Sequence, residues 1–221
     1  DLRMSRGLGD VYKRQTLKNV KKEYGKNQVL FENLSLEIEK GEFVGLVGKS
    51  GAGKTTLLNI IGLITDISEG TITIDSHKNL SMNGKNAMIL RRYTIGYLFQ
   101  NYGLIEDESV LWNLKLAREY KKVKKEEKLK LINKYLKQFE LSDMLNKKVY
   151  QLSGGEQQRI AIIKLILQGS QIILADEPTS GLDKENELIV MKLLKELNEK
   201  GITIITVSYT HLRAHETCAD L

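Results

Sequence analysis

The sequence is poor in the residues that mark disulfide-rich, all-β or membrane-embedded proteins. A single cysteine, Cys218, excludes a disulfide within the chain and a metal centre built from cysteines. No apolar run approaches the roughly 20 residues that a helix needs to cross a bilayer, and we expect no signal peptide because the N-terminal residues are not apolar. Aromatic residues make up only 6% of the chain, whereas Lys, Glu, Ile, Leu and Asn are abundant. This composition favours a helix-rich mixed fold.

The charge balance is only a weak indication of function. A formal net charge of +6 could serve an anionic partner such as nucleic acid, a nucleotide or a lipid surface. Much of the positive charge, however, lies in mixed-sign runs such as residues 121–128, KKVKKEEK, whose pattern is typical of a solvated helix face. We therefore expect no nucleic-acid partner.

The two ends of the chain can be explained by one foreign DNA segment. Codons exist for residues 1–15, DLRMSRGLGDVYKRQ, whose reverse complement encodes residues 207–220, VSYTHLRAHETCAD. The segment resembles a transposon-derived adapter of sequencing libraries, and such additions are set aside before a fold is inferred. A genuine inverted repeat flanking a gene is the alternative. We expect residues 1–15 and 207–221 to be non-native tails, and His211 and Cys218 to have no function.

Hydrophobic periodicity predicts strands that alternate with helices. Residues 16–39 contain short alternating runs typical of antiparallel strands, whereas residues 43–47, FVGLV, form a continuous apolar run typical of a buried strand. Further strands are predicted at 71–74, 95–99, 172–175 and 202–206, helices at 54–63 and 184–200, and mainly helical structure at 109–167. The pattern predicts an open α/β sheet that binds its ligand at the carboxyl ends of its strands. Two isolated residues are given structural roles: His77 in an exposed polar loop and Trp112 in helix packing.

A glycine-rich stretch after the strand at 43–47 carries the most specific motif. Residues 48–56, GKSGAGKTT, fit the pattern G-x-x-x-x-G-K-[ST] between a predicted strand and a predicted helix. Glycines allow backbone N–H groups to face an anion, and the following helix N-terminus adds its positive dipole. We expect Lys54 to reach the β- and γ-phosphates of a nucleotide and Thr55 to ligate Mg²⁺. The predicted nucleotide-binding residues here are Gly48, Lys49, Ser50, Gly51, Ala52, Gly53, Lys54, Thr55 and Thr56.

Two further motifs place polar groups where they could meet a phosphate. The run IILADE places Asp176 and Glu177 at the end of a buried strand, where one carboxylate can bind Mg²⁺ and the next can polarise a water. The segment LSGGEQQR predicts a helix that begins after Ser153, with Glu156 completing a capping box. A helix N-terminus opened by glycines is also an anion site, so the chain has two surfaces that can bind phosphate.

Together the motifs GKSGAGKTT, LSGGEQQR and ILADEPTSGLD resemble the nucleotide-binding subunit of an ATP-binding cassette (ABC) transporter. The resemblance covers residues 16–206 and implies an α/β fold of the P-loop NTPase type. It implies a mixed sheet core, an antiparallel β subdomain and a helical subdomain at about 101–167. ATP and Mg²⁺ are the implied cofactors, and ATP hydrolysis coupled to transport is the implied activity.

The resemblance also assigns expected roles to individual residues. Glu177 is the expected general base, Tyr24 is expected to stack on adenine, and Gln100 is expected to touch both Mg²⁺ and the attacking water. The implied metal ligands are Thr55, Gln100 and Asp176. The signature residues and the D-loop residue, which would meet the nucleotide of a partner subunit, are Ser153, Gly154, Gly155, Gln157 and Asp183.

The family places its ATP between two such subunits, so the resemblance implies a homodimer or heterodimer attached to an integral-membrane permease at the cytoplasmic face of the membrane. Residues 95–106 and 152–183 are similar to the subgroup that serves exporters of antimicrobial peptides, lipoproteins and macrolides, and most like its bacteriocin-export members. A soluble ABC-type ATPase of DNA repair or translation is the alternative, although such proteins usually carry a coiled-coil insertion or a second cassette. A kinase that shares only the phosphate loop is disfavoured by LSGGEQQR.

One expected family residue is missing. In the family the last strand ends in a Thr-His pair whose histidine senses the γ-phosphate, and that histidine would lie near position 209, where this chain has Tyr209. We therefore expect that His211 is not this residue and that the 221-residue chain binds ATP but hydrolyses it poorly.

Overall fold

The computed structural model describes residues 13–25, 28–119, 124–207 and 217–220. A three-stranded antiparallel sheet has the order β2-β1-β4 and consists of β1 (Lys13–Tyr24), β2 (Gln28–Glu39) and β4 (Glu69–Ile74). The antiparallel strands expected within residues 16–39 are therefore confirmed, and they are longer than the alternating runs that predicted them.

A second sheet is parallel and forms the centre of the domain. Its order is β5-β6-β7-β3-β8, and every neighbouring pair is parallel. The strands are β3 (Phe43–Val47), β5 (Ile95–Leu98), β6 (Ile172–Asp176), β7 (Thr203–Val207) and β8 (Thr217–Asp220). Because the strands are parallel, the loops that follow β3, β5 and β6 leave the same edge of the sheet, where ligands of open α/β sheets bind.

Six α-helices within the described part of the chain complete the fold. They are α1 (Lys54–Ile61), α2 (Lys85–Tyr93), α3 (Val110–Leu116), α4 (Lys125–Gln138), α5 (Gly154–Gln168) and α6 (Lys184–Glu199) among the described residues, with short 3₁₀ turns at Ser142–Met144 and Val149–Gln151. Helices α1 and α6 agree with the predicted helices, with ends shifted by one or two residues, and α3, α4 and α5 lie in the region predicted to be mainly helical. Helix α2 was not predicted. The α/β fold class is confirmed. Among the described residues, no helix combines the length and the hydropathy that a bilayer crossing requires.

The parallel sheet separates two apolar cores. On β6, Ile172 and Leu174 enter one core whereas Ile173 and Ala175 enter the other, because successive strand side chains point to opposite faces. The first core is completed by the antiparallel sheet with α1 and α2, and the second by α3, α4, α5 and α6. Helix α1, which follows the glycine-rich loop, and the signature helix α5, which begins after Ser153, thus lie on opposite faces of the sheet.

The observed strands extend past the expected native boundaries of residues 16–206. Strand β1 begins at Lys13, β7 ends at Val207, and β8 pairs with β3. Residues 1–12 and 208–216, including Tyr209 and His211, lie outside the described residues. The adapter-like origin of the two ends stays a prediction.

Two minor predictions were wrong. Trp112 was expected to pack inside the helical region, but it lies in the first turn of α3 with 40% of its surface exposed. His77 was expected to be exposed, but it is half-buried: its backbone forms two hydrogen bonds with Ile74, and its buried Nδ1 has no hydrogen-bond partner among the described residues. A short turn that folds back on β4 therefore partly buries the His77 side chain, whose polar sequence neighbours had indicated a solvated loop.

Candidate active site

The glycine-rich loop between β3 and α1 is open to an anion. Helix α1 has no side-chain cap and no acidic residue in its first turn, so its positive N-terminal end can attract an anion. Gly53, which precedes the helix, has φ +87°, and a Cβ at this position would lie 2.7 Å from the ring of Phe31. Glycine is therefore required here by both conformation and space.

Lys54 is folded over this loop. Its ammonium group donates hydrogen bonds of 2.9 Å to the carbonyl oxygens of Gly48 and Lys49, and the residue is only 4% exposed. The positive charge is therefore held at the centre of the loop. Gly48, Lys49, Ser50, Gly51 and Thr55 are exposed around it, and Ala52, Gly53 and Thr56 are half-buried.

The structure brings the predicted Mg²⁺ ligand Thr55 to the end of β6. Its hydroxyl donates a 3.1 Å hydrogen bond to Oδ1 of Asp176. Burial raises the pKa of Asp176, the Thr55 hydrogen bond and the charge of Lys54 oppose the rise, and the negative charge of Glu177 adds to it. A bound cation would relieve this unfavourable charge, because it would favour the ionised carboxylate.

The two residues expected to act on the attacking water also meet. Gln100 lies two residues beyond the end of β5, and its Nε2 donates a long 3.5 Å hydrogen bond to Oε2 of Glu177. Glu177 has φ +48°, in the left-handed region that non-glycine residues seldom adopt, and its N–H donates to the carbonyl oxygen of Val207. Such backbone strain is typical of residues held in place for function.

Tyr24 lies beside the same loop. It is 46% exposed and lines a cavity of about 330 Å³ together with Gln28, Leu30 and the residues Gly51, Gly53, Lys54, Thr55 and Thr56. The Nζ of Lys22 lies 4.7 Å from the centroid of the tyrosine ring. Gln28 and Leu30 were not predicted, because their approach to the loop depends on the pairing of β1 with β2. Lys22 was not predicted either, although its contact with Tyr24 lies within β1.

The signature segment forms a separate group at the start of α5. Ser153 caps the helix: its hydroxyl accepts from the N–H of Glu156, while the Glu156 carboxylate accepts from the N–H of Ser153 at 2.7 Å. The predicted capping box is confirmed. Burial opposes ionisation of Glu156, but the hydrogen bonds from Ser153 and the charges of Lys147 and Arg159 together lower its pKa. Gly154 is half-buried, Gly155 is buried, and Gln157 donates to the carbonyl oxygen of Leu152.

Asp183 lies next to this group rather than next to the phosphate loop. It caps α6 by accepting from both the backbone and the side chain of Asn186, and these hydrogen bonds lower its pKa. Helix α5 also contacts the loop that follows β6, since Nε2 of the buried Gln158 donates a 2.6 Å hydrogen bond to the carbonyl oxygen of Pro178. Neither Asn186 nor Gln158 was predicted, because no local pattern marks a residue that joins two helices or a helix and a loop.

The predicted residues therefore form two groups. Tyr24, the phosphate loop, Gln100, Asp176 and Glu177 gather at the carboxyl edge of the parallel sheet. Ser153, Gly154, Gly155, Gln157 and Asp183 gather where α5 and α6 begin. Among the described residues, side-chain hydrogen bonds join the second group to Leu152, Glu156 and Asn186.

This architecture can be compared with known proteins. Residues 31–180 match the family described as ABC transporter. The chain belongs to this family. It is an ATP-binding, ATP-hydrolysing domain, and we refer to it below as the ABC domain.

Relatives of the ABC domain belong to transporters of different kinds. It is 42% identical over 193 residues to the macrolide export ATP-binding/permease protein MacB of Campylobacter jejuni, a match that covers 87% of this chain but 30% of that relative. It is 43% identical over 199 residues to the phosphonates import ATP-binding protein PhnC of Lactobacillus acidophilus, covering 86% of this chain and 77% of the relative. The ABC domain thus spans about 30% of the length of the macrolide export relatives.

A solved structure shares the fold closely. The dimeric post-hydrolysis state of the ATP-binding cassette MJ0796, bound to ADP and Pi, superposes with a TM-score of 0.80 at 39% identity, covering 89% of this chain and 88% of that one.

Proposed function

We propose that the ABC domain is the motor of a membrane transporter and that the cluster at the carboxyl edge of its sheet is the ATPase site. The observation that carries the proposal is the contact between Thr55 and Asp176, 3.1 Å apart beside an uncapped helix N-terminus. This contact joins a phosphate cradle to a carboxylate, which is the arrangement that P-loop NTPases use to hold a nucleotide with its metal.

Each residue of the cluster has a defined task in this proposal. The N–H groups of residues 48–56 hold the phosphates, Lys54 exchanges its carbonyl partners for β- and γ-phosphate oxygens, and Tyr24 supports the adenine. Thr55, Asp176 and Gln100 offer hydroxyl, carboxylate and amide oxygens, the ligand types that Mg²⁺ prefers. When bound, Mg²⁺ would neutralise the charge that develops on the transferred phosphoryl group.

The catalytic step falls to Glu177 and Gln100. The carboxylate of Glu177 accepts the proton of the attacking water at Oε2, while the Gln100 amide orients that water. Their present separation of 3.5 Å leaves a weak hydrogen bond that a water can replace. Because this hydrogen bond is long and weak, the two side chains can separate to bind the attacking water between them.

The signature group completes the site of a second copy. Within one chain, α5 is bonded to α6 through Arg159 and Asn186, and it packs on the face of the sheet opposite α1. We propose that two domains meet head to tail, so that the α5 N-terminus, the hydroxyl of Ser153 and the Asp183 loop of one copy face the γ-phosphate bound by the other. ATP then joins the two copies, and its hydrolysis weakens the interface.

A surface for a permease lies next to the Gln100 loop. Four large apolar side chains are exposed here and on α3: Phe99 by 40%, Ile105 by 44%, Trp112 by 40% and Leu116 by 42%. A cleft of about 270 Å³ beside them is lined by residues that include Ile64, Tyr97 and Phe99. Exposed apolar side chains in this number favour a partner contact. A segment of the permease at the cytoplasmic face of the membrane is the partner we propose.

Export of a peptide, bacteriocin or lipoprotein is the transport we propose for the assembly. The sequence of residues 95–106 and 152–183 supports export, and so does the macrolide export relative, while the phosphonate import relative makes import the alternative to be tested. Co-expression of the native gene with its neighbouring genes is the direct test. Recovery of an integral-membrane partner supports the motor role, whereas salt-sensitive nucleic-acid binding without such a partner would favour a repair or translation ATPase.

The nucleotide site itself is tested by Lys54→Ala. Removal of a buried ammonium that contacts two phosphates should weaken ATP binding by about tenfold to a hundredfold, measured by titration calorimetry. Lys78→Ala, a loss of the same charge at an exposed position, is the matched control and should bind as the parent does. Equal affinities of the Lys54 variant and the control would overturn the proposed site.

A further inference from the structure

Asn186 lies between the two elements that the proposed dimer presents to the partner's nucleotide. It is in the first turn of α6, three residues after Asp183. Its Nδ2 donates to Oδ2 of Asp183 at 2.8 Å, and its Oδ1 accepts from Nη1 of Arg159, a residue of α5, at 2.9 Å. One side chain thus binds a residue of each element.

The amide of Asn186 is also closely packed against α5. Gly155, the second glycine of the signature segment, is buried, and a Cβ built on it would collide with the amide group of Asn186. The absence of a side chain at 155 therefore lets the amide of α6 lie directly against the first turn of α5. The two helix N-termini are in contact at this point.

The chemistry of the position favours an amide. Its neighbours are a carboxylate, which needs a donor, and a guanidinium, which needs an acceptor. Asparagine supplies one of each in a short side chain, whereas aspartate supplies no donor and leucine supplies neither. The network continues along α5, because Arg159 is electrostatically coupled to Glu156, the partner of the Ser153 cap.

We propose that Asn186 is a positioning residue that fixes the Asp183 loop to the signature helix, so that both reach the partner's nucleotide as one unit. The inference rests on the proposed head-to-tail dimer. Asn186 itself touches no nucleotide in its own subunit. Its effect is therefore on assembly around ATP, not on the binding of ATP to one chain.

The test compares two equilibria in the same protein. Glu177→Gln serves as the parent, because loss of the proposed base should preserve ATP during the measurement. A fluorescent ATP analogue measures binding to the dilute monomer, and analytical ultracentrifugation with ATP measures dimer formation. Asn186→Leu, which keeps the branched shape of the side chain but removes both hydrogen bonds, should bind ATP within about twofold of the parent and dimerise at least about tenfold more weakly.

Two further variants sharpen the comparison. Asn186→Asp keeps the acceptor for Arg159 but places a second carboxylate beside Asp183, so it too should weaken the dimer. Lys195→Ala, on the exposed face of α6, should change neither equilibrium. Thermal denaturation of each variant shows whether the fold is retained.

Weaker dimers with unchanged monomer binding support the proposal. Unchanged dimers overturn it, and so does a parallel loss of monomer binding, dimer formation and thermal stability, which would make Asn186 a purely structural residue. A parent that binds ATP but forms no dimer overturns the head-to-tail proposal together with this inference, and the parent alone distinguishes that failure.

Discussion

Gln15 makes a sharp stability prediction possible, because its amide is buried among apolar residues. The residue is 1% exposed on β1, opposite Ile38 on β2 and Ile74 on β4, which are themselves buried. Neither Oε1 nor Nε2 has a hydrogen-bond partner among the described residues. Gln15 is also the last residue of the segment that resembles adapter-encoded sequence, where no selection for a buried position is expected.

The expected gain from Gln15→Leu follows from this environment. A buried polar group without a partner costs about 1–3 kcal/mol, and leucine has a similar volume with no polar atoms. We expect the free energy of unfolding to rise by about 2 kcal/mol. For a chain of this size, that corresponds to an increase in Tm of about 4–8 °C.

The assay is thermal and urea denaturation of the 221-residue chain, followed by circular dichroism. Gln138→Leu is the matched control: the same substitution at an exposed position of α4 should change the free energy of unfolding by less than about 0.5 kcal/mol. Equal stabilisation of both variants would attribute the effect to hydrophobicity alone. A decrease for Gln15→Leu would show that the amide has a partner, and the reasoning from its burial would fail.

Two predictions concern the half-buried charged groups of Asp176 and Lys164. Burial raises the pKa of Asp176, so its carboxylate is unfavourable without a cation. Asp176→Asn should therefore raise Tm in the absence of nucleotide while it weakens Mg²⁺-dependent ATP binding; a lower Tm would contradict this. Burial lowers the pKa of Lys164, whose Nζ donates to the carbonyl oxygen of Gly103 and shares a cleft with Arg91. Between that lowered pKa and about 10.5, Lys164 holds its proton in the unfolded chain but not in the folded one. The stability of the parent relative to Lys164→Met should therefore rise with pH in this window, as measured by urea denaturation. A constant or falling difference in stability would refute the prediction.

The local features of the site follow from short sequence patterns. The apolar run 43–47 before GKSGAGKTT predicts a buried strand, a turn and a helix, because each depends on residues within one or two turns of each other. The Ser153 and Glu156 capping box is local in the same way, with both partners in one turn of α5. Such features are determined by backbone geometry, and the structure confirms them.

Residues that act through distant contacts could not be identified in this way. Trp112 shows why: a tryptophan on the first predicted helix of this region was expected to pack, yet the faces of α3 that are covered depend on where α4, α5 and the Gln100 loop lie. The position of Gln15 inside the antiparallel sheet depends likewise on two pairings of β1, with strands on either side. Asn186 bonds Asp183 within its own helix start, but its contact with Arg159 has no local sequence signal, since it arises from the meeting of α5 with α6.

The sequence by itself determined the family, the fold class, the phosphate loop and the helix caps, because these depend on neighbours along the chain. The tertiary structure alone decided that Thr55 and Asp176, 121 residues apart, lie within 3.1 Å, and that the signature helix is bonded to α6 instead of to its own phosphate loop. The reason is physical: strand order in the parallel sheet fixes which loops share an edge, and that order is set by the packing of the whole domain rather than by any one segment.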